Sequence, residues 1–270
     1  MLSIKDKKIR KLPYSEAIRE GIDQAMSENQ DLIIIGEGVP DPKSIFETTK
    51  GLQEKYGKSR VFDMPLSENG VTGICIGAAL NGTPVLMIHQ RIDFSLLAMD
   101  QIINNAAKWH YMFNGQSTVP IVIRVIVGRG WGQGPQHSQN LQALFAHIPG
   151  LKVITPATAK DAKGMMVAAL KDKNPVIFIE HRWLHHIEDS VPEEMYFSEL
   201  DKAQILRQGS DVTIVANSLM TIETMKAAAV LSEIGVNVEV VDLRSIKPID
   251  LETILKSVSK TKKMIVVDSA

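Results

Sequence analysis

Residues 119–139 read VPIVIRVIVGRGWGQGPQHSQ, an apolar run that ends in a loop with four glycines. A run of this length closed by glycine predicts a buried strand. It is far shorter than the roughly 20 apolar residues of a membrane span, and it contains Arg124. An apolar spacing typical of a helix follows over 138–147. Strand, loop and helix in this order indicate a unit of an α/β protein.

The same alternation extends in both directions along the chain. Further buried strands are predicted at 32–35, 84–89, 152–155 and 175–180, with helices at 15–28, 68–81, 95–113 and 158–172. After a polar, proline-containing stretch the pattern restarts, with strands at 211–217, 236–242 and 263–268 and helices at 221–234 and 250–258. We therefore predict a mainly parallel sheet over 1–185, a linker at 186–204 and a smaller three-stranded α/β domain over 205–270.

Composition excludes several classes of function. The chain has 270 residues, 30 Lys and Arg against 31 Asp and Glu, and no strongly basic block, so a nucleic-acid partner is not expected. No apolar run is long enough to cross a membrane. The first residues are charged and lack an apolar signal core, which favours a cytoplasmic location. The single cysteine, Cys75, lies in an apolar run and is expected to be a small buried hydrophobic residue.

Three segments carry residues that could take part in catalysis or bind a metal. Glu68 follows a short strand and begins an apolar helix. It is either an acidic residue in the first turn of this helix, with Ser67 as the helix cap, or a functional residue at the end of the strand. His137 ends the glycine-rich loop and either caps a helix or transfers protons. His181 and His185 have a spacing that could share a zinc ion, but no third ligand is evident.

Seven motifs in order, and an eighth near the C-terminus, resemble the beta subunits of 2-oxo acid dehydrogenases of the pyruvate, branched-chain 2-oxo acid and acetoin dehydrogenase type. The motifs are Gly36–Val39 (GEGV), Pro65–Gly70 (PLSENG), Phe94–Asn104 (FSLLAMDQIIN), Gln136–Gln139 (QHSQ), Pro149–Val153 (PGLKV), Asp161–Gly164 (DAKG), Lys173–Val176 (KNPV) and Asp242–Asp250 (DLRSIKPID). Each is moderately specific, and their shared register makes the resemblance strong.

The resemblance implies a transketolase-like pyrimidine-binding domain followed by a partial transketolase C-terminal-like domain, which is expected to be truncated. In that family thiamine diphosphate lies between two subunits, and this chain is similar to the pyrimidine half. It lacks the Gly-Asp-Gly signature that holds the Mg²⁺ of the diphosphate, so that ion is expected on an alpha subunit. The implied assembly is an alpha2beta2 heterotetramer that decarboxylates a 2-oxo acid and acylates a lipoylated dihydrolipoyl acyltransferase core.

The resemblance also assigns residues. Glu68 matches the glutamate that shares a proton with the cofactor's aminopyrimidine ring, which favours the tautomer able to activate the thiazolium carbon. Glu37 and Phe94 match positions beside the cofactor, and His137 matches a histidine that faces its reactive carbon. A potassium ion held mainly by backbone carbonyls would correspond, by register alone, to Ile121, Ala169, Leu170, Asp172 and Asn174.

Departures from the family pattern leave the substrate open. Gly38 stands where a second glutamate is common, and His89 and Arg91 occupy a stretch that is usually more apolar. Arg91 either pairs with Asp93 or Asp100 or meets an anionic substrate. Two alternatives remain. The first is half of a split transketolase or deoxyxylulose-phosphate synthase that acts on sugar phosphates, for whose binding the glycine-rich loop offers chiefly Arg129 and His137. The second is a non-catalytic assembly subunit.

Overall fold

The computed structural model describes residues 10–269, which form two main sheets and a small two-stranded ribbon. The strands are β1 (Lys11–Pro13), β2 (Ile33–Gly36), β3 (Val61–Phe62), β4 (Val85–His89), β5 (Ile121–Val127), β6 (Lys152–Ile154), β7 (Val176–His181), β8 (Glu188–Ser190), β9 (Gln204–Arg207), β10 (Val212–Ala216), β11 (Val238–Asp242), β12 (Ser245–Lys247) and β13 (Met264–Val267). The α-helices are α1 (Tyr14–Glu28), α2 (Leu52–Tyr56), α3 (Glu68–Leu80), α4 (Trp109–Met112), α5 (Gln142–His147), α6 (Ala159–Lys171), α7 (Ser218–Glu233) and α8 (Leu251–Thr261).

The larger sheet has seven strands in the order β12-β6-β7-β5-β4-β2-β3. All neighbouring pairs are parallel except β12 with β6. Strand β5 is buried along its whole length because an apolar layer covers each face. One layer includes Ile18 of α1 and Met165 of α6, and the other includes Val71 and Cys75 of α3. This confirms the predicted parallel α/β sheet.

The second sheet has four strands in the order β13-β10-β11-β9, with β9 antiparallel to β11. The prediction of three strands was therefore incomplete, because it missed β9. It also missed β12, which leaves this part of the chain and pairs antiparallel with β6 at the edge of the larger sheet. A three-residue edge strand of mixed polarity carries too short a pattern to be recognised from periodicity.

The predicted helix at 95–113 is wrong in its winding. The chain forms a 3-10 helix (Ile92–Ala98), a π-helix (Gln101–Ala106) and the short helix α4. The turn at Gly150 packs against the end of the π-helix, so closely that a Cβ at Gly150 would lie 1.9 Å from the carbonyl oxygen of Ala107. The apolar spacing records which residues are buried, but it does not record this close contact.

The predicted helix at 138–147 begins later, at Gln142. Residues 135–137 form a separate 3-10 turn, and the backbone N–H of Gln139 donates to Asp93 rather than to a helical carbonyl. Helix α6 follows its prediction more closely: Thr158 Oγ1 accepts from the backbone N–H of Asp161 at 3.0 Å. The Asp161 carboxylate accepts from the Thr158 hydroxyl and from Arg244 instead of returning to the backbone of Thr158.

The stretch predicted as a linker is held against the larger sheet's helices. Strand β8 pairs antiparallel with β1. The ammonium of Lys163, which is fully buried, donates to the carbonyl oxygens of Pro192, Glu193 and Glu194 at 2.7, 3.1 and 3.0 Å. These bonds give residues 188–194 fixed backbone partners.

Composition also led to expectations about Cys75 and about membrane-spanning helices. Cys75 is a free, buried cysteine whose pKa burial raises to about 12, so it is a small apolar residue as predicted. Among residues 10–269 no helix is both long and apolar enough to span a membrane.

Candidate active site

The candidate residues lie at the carboxyl ends of five strands of the larger sheet. Glu37 follows β2, Asp63 follows β3, Phe94 follows β4, the loop that carries His137 follows β5, and Arg182 follows β7. Because these strands are parallel, their carboxyl ends share one edge of the sheet, where open α/β sheets bind ligands.

Three carboxyl groups gather at the ends of β2 and β3. Burial raises the pKa of Glu37, and the negative charges of Glu68 and Asp63 raise it further. The Oε1 atom of Glu37 is buried and has no hydrogen-bond partner within residues 10–269. Glu68 is only 8% exposed, and no described residue donates a hydrogen bond to its carboxyl group. These acids therefore face a site that can accept N–H donors or positive charge.

The backbone around Gly38 fixes the position of Glu37. Asp63 Oδ1 accepts the N–H of Gly38 at 2.8 Å, and the Gln90 side chain donates to the Glu37 carbonyl at 3.0 Å. Gly38 has φ +70°, and a Cβ there would lie 2.8 Å from Gln90 Nε2. A glutamate at this position would be strained in this conformation, which explains physically why glycine occupies it here.

Phe94 and His137 come together although 42 residues separate them in the chain. Their rings meet edge to face, with centroids 5.2 Å apart. Both side chains are half-buried, and no described residue hydrogen-bonds to the His137 imidazole. The imidazole nitrogens are therefore available to a ligand at the rim of the site.

The segment after β4 holds the His137 loop at two points. Arg91 donates to the side-chain oxygen of Gln133, and Asp93 accepts from the side chain of Gln139 at 2.8 Å. Gly128 lets the chain approach closely, since a Cβ there would lie 2.3 Å from the His137 carbonyl oxygen. The same Cβ would lie 2.7 Å from Arg91 Nε. The loop is thus built against Arg91 and Asp93.

His89, at the end of β4, is 3% exposed and its Nε2 has no described partner. Burial lowers its pKa to about 4, so the imidazole is neutral at pH 7. A neutral imidazole can donate or accept one hydrogen bond at that nitrogen, depending on its tautomer.

Both main parts of the chain match known protein families. Residues 10–186 match the pyrimidine-binding domain of transketolase, and residues 201–270 match the transketolase C-terminal domain. The chain is 42% identical over 253 residues to the pyruvate dehydrogenase E1 component subunit beta of Gracilaria tenuistipitata var. liui, covering 94% of this chain and 78% of that protein. This chain belongs to the family of 2-oxo acid dehydrogenase beta subunits.

Other members of the beta-subunit family are equally similar. Subunit beta of the acetoin:2,6-dichlorophenolindophenol oxidoreductase of Cupriavidus necator is 44% identical over 271 residues, covering 97% of this chain and 80% of that protein. The mitochondrial beta-2 subunit of rice (Oryza sativa subsp. japonica) pyruvate dehydrogenase is 40% identical, covering 97% of this chain and 70% of that protein. The resemblance predicted from the motifs is confirmed.

A solved structure supports the fold independently. A split-gene transketolase described as an inactive beta4 tetramer has a TM-score of 0.78 and 22% sequence identity, covering 95% of this chain and 79% of that chain. At this identity the likeness concerns the fold alone, and it confirms the predicted fold class.

The positions predicted to hold potassium lie away from the other candidates. Ile121 begins β5, Ala169 and Leu170 lie near the C-terminus of α6, and Asp172 and Asn174 precede β7. They therefore belong to the amino-terminal edge of the parallel sheet, opposite Glu68 and His137. The Asp172 carboxylate accepts from Asn174 and Lys152. The potassium assignment stays a prediction.

The histidines considered for zinc are committed elsewhere. His181 Nδ1 accepts the backbone N–H of Trp183 at 3.2 Å, and His185 Nε2 lies 3.0 Å from Glu180 Oε1. No group of three potential metal ligands occurs within the described part of the chain. Arg182 lies between these two histidines at the edge of the candidate site, and it was not predicted from the sequence. Its place directly after a buried strand was the available signal.

Arg91 does not pair with Asp93 or Asp100, so that expectation is wrong. Its guanidinium donates to Gln133 and to the Gln90 carbonyl, while Asp93 accepts from Gln139. The Asp100 carboxylate accepts from Asn104. Direct ion pairing is replaced by amide and carbonyl contacts because Asp93 is used to hold the loop.

Proposed function

We propose that this chain supplies the aminopyrimidine-binding half of a thiamine diphosphate-dependent 2-oxo acid dehydrogenase. The observation that carries the proposal is the convergence of Glu68, Phe94 and His137 at one edge of the sheet. Three chain segments that are distant in sequence would supply an acid, an aromatic wall and an imidazole to one site. The similarity to pyruvate and acetoin oxidoreductase beta subunits supports the same reading.

The donor set of this edge fits the cofactor. An aminopyrimidine ring carries an amine and ring nitrogens, and Glu37 Oε1 is a buried acceptor with no described partner. Glu68 would hold a proton on a ring nitrogen, and Phe94 would pack against the ring. Bound thiamine diphosphate would supply a carbon nucleophile and an electron sink for decarboxylation.

The chain's own residues would act on orientation and protons. Glu68 would exchange a proton with the ring because this residue is only 8% exposed and its carboxyl group accepts no hydrogen bond from a described residue. His137 would orient the substrate carboxylate or donate a proton from its free imidazole during acyl transfer. Asp93 and Arg91 would position His137 by holding its loop on both sides of the histidine.

A partner subunit completes the proposal. This sequence has no Gly-Asp-Gly signature, so an alpha subunit would hold the diphosphate and its Mg²⁺ in an alpha2beta2 heterotetramer. The acyl acceptor would be a lipoylated dihydrolipoyl acyltransferase core. The potassium ion, the domain limits at 1–185, 186–204 and 205–270, and the cytoplasmic location stay predictions.

The test is Glu68→Ala in the co-expressed pair with the alpha subunit. We expect loss of 2-oxo acid decarboxylation, measured with an artificial electron acceptor, because no other described carboxyl occupies the same helix terminus. Glu54→Ala, an exposed acid on α2, is the matched control and should keep wild-type turnover. Wild-type turnover in Glu68→Ala would refute the assignment.

One observation favours a second candidate, a transketolase-type half that acts on sugar phosphates. Arg91 and Arg182 place two guanidinium groups at the same edge of the sheet, and arginine binds phosphate well. Parallel assays of the pair with ketose phosphates and with 2-oxo acids would separate the two candidates. Failure of the reconstituted pair to bind thiamine diphosphate would exclude both and favour an assembly role.

A further inference from the structure

Two arginines stack on one aromatic ring at the edge of the candidate site. The guanidinium carbon of Arg91 lies 5.0 Å from the ring centroid of Phe46, and that of Arg182 lies 4.5 Å from the same centroid. Arg182 also lies 4.8 Å from the ring of Trp131. Aromatic faces attract cations, so the rings can hold two like charges near each other while leaving their N–H groups available.

The charge of Arg182 has no hydrogen-bonded counterion. No residue within 10–269 accepts a hydrogen bond from its side chain, and its Nη1 is buried without a partner. The nearby carboxylates are engaged elsewhere: Glu180 with Arg124 and His185, and Glu47 with Lys50. A buried guanidinium nitrogen without an acceptor is costly, so an anionic ligand would stabilise it.

Arg91 has N–H groups that bond to no described residue. It is 5% exposed, and it uses its Nε and Nη2 on Gln133 and one Nη1 hydrogen on the Gln90 carbonyl. A guanidinium has five N–H groups, so two remain. Burial lowers the pKa of both arginines, and the charge of Arg182 lowers that of Arg91 further. An oxyanion between them would relieve this repulsion.

The arginine pair adjoins the predicted catalytic residues. The Arg91 carbonyl accepts the backbone N–H of Phe94 at 3.2 Å, and Gly128 brings the chain close to both Arg91 Nε and the His137 carbonyl. Phe46 lies in a segment, residues 44–47, whose four residues all have positive φ. Such backbone strain in residues other than glycine is typical of functional segments. A molecule bound at Phe94 and His137 would therefore have the arginine pair beside it.

We propose that Arg91 and Arg182 bind a second oxyanion of the substrate, at the end remote from its 2-oxo group. The substrate class would then be dianionic 2-oxo acids, with a 2-oxo dicarboxylate as the first candidate. This inference rests on the proposed function for the identity of the 2-oxo acid, although the anion site itself does not. Phe46 and Trp131 form the apolar walls of that site.

The experiment measures kcat/KM of the co-expressed pair for 2-oxoglutarate and for pyruvate. We expect the dicarboxylate to be preferred, and Arg182→Gln to lower its kcat/KM by about 10- to 100-fold, mainly through KM, because one charge-assisted contact is lost. Pyruvate turnover should fall less than about threefold with Arg182→Gln. Lys43→Gln, which removes an exposed charge near Phe46, is the control and should change neither value.

A binding measurement separates the two proposals. Calorimetry with glutarate and with glycerol 3-phosphate, on wild-type pair and Arg182→Gln, reports the anion site even when no substrate is turned over. Weaker binding of either anion in the variant supports the site, and a preference for glycerol 3-phosphate assigns it to a phosphate and counts against the dicarboxylate. Equal kcat/KM losses for both 2-oxo acids, or anion binding unchanged by Arg182→Gln, would overturn the proposal. If the wild-type pair bound the anions but turned over neither 2-oxo acid, only the proposed function would be refuted.

Discussion

The phenyl ring of Phe94 stands nearly perpendicular to the imidazole of His137, at 86° with 5.2 Å between ring centroids. One residue follows β4 and the other ends the loop after β5, so the contact joins two neighbouring strand ends. An edge-to-face contact holds the imidazole without using either of its nitrogens. In the proposed site Phe94 would therefore have two roles: it supports the imidazole, as this contact shows, and it would pack against the cofactor ring.

Phe94→Ala should separate these roles from general stability. We expect the thiamine diphosphate concentration for half-maximal activity to rise by about tenfold, since an aromatic wall and an aromatic contact are both lost. Phe94→Tyr should remain within about twofold of wild type, because it keeps the ring. Phe197→Ala, an exposed aromatic residue far from the site, is the control. Unchanged cofactor saturation in Phe94→Ala would contradict the assigned position.

Asp93 is expected to act as a positioning residue for His137. It accepts from both the backbone N–H and the side chain of Gln139, so Asp93→Ala frees the end of the loop next to the histidine. We expect kcat to fall about tenfold with little change in cofactor saturation, because misplacement affects the reacting geometry. Asp93→Asn, which keeps one carbonyl acceptor, should recover part of the loss. Asp100→Ala on the same segment is the control and should behave like wild type. If Asp93→Ala changed kcat and cofactor saturation equally, Asp93 would have a merely structural role.

Glu37 provides a pH-dependent test of the acid cluster. Burial and the neighbouring Glu68 and Asp63 raise its pKa, so the folded state binds more protons than the unfolded state between the two pKa values. Stability is therefore lost as the pH rises from the ordinary value through the raised one. Without cofactor, Glu37→Gln should match wild type at pH 4 and raise Tm by about 1–2 °C at pH 7.5.

The same variant should weaken thiamine diphosphate binding, since it exchanges a charged acceptor for a neutral amide. Thermal unfolding with and without cofactor measures both effects, and Glu54→Gln on the exposed face of α2 controls for surface charge. A lower Tm for Glu37→Gln at pH 7.5 would show that the carboxylate stabilises the fold through a contact.

The sequence predicted the parallel sheet and its candidate residues because each strand carries an apolar run that ends at a glycine or a polar residue. Glu68, Phe94 and His137 follow such runs, and strand ends share an edge in a parallel sheet. The family resemblance supplied their roles. Local patterns could not show that Phe94 meets His137 or that Arg91 reaches Gln133, because these contacts depend on loop geometry across 42 residues.

Other features escaped the sequence for related reasons. Arg182 lies between two histidines whose spacing drew attention to metal binding, although both rings turn to other partners. Strand β12 is defined by its pairing with β6, about 90 residues away in the chain, which no local period reveals. Residues 92–112 take three different helical windings in turn under one continuous apolar pattern.

A buried triad beneath the site offers a final test, because Arg124, Glu180 and His185 have fully buried side chains. Burial alone would raise the pKa of Glu180, but the charge of Arg124 and the hydrogen bonds with Arg124 and His185 outweigh it and hold this pKa at about 2. Burial lowers the pKa of His185, so its ring is a neutral member of the triad at pH 7. The triad's contribution to stability is thus present above the ordinary glutamate pKa of 4.5 and lost as the pH falls towards 2.

Arg124→Met should lower the free energy of unfolding by about 3–5 kcal/mol at pH 7, because it leaves a buried carboxylate without its main partner. It should also flatten the loss of stability between pH 5 and pH 3. Adding Glu180→Gln should recover at least half of the loss, since a neutral amide still offers an acceptor to His185 and needs no counterion. Urea unfolding of the four proteins in this cycle measures the coupling, and a double variant no more stable than Arg124→Met would mean that packing at Arg124 accounts for the loss.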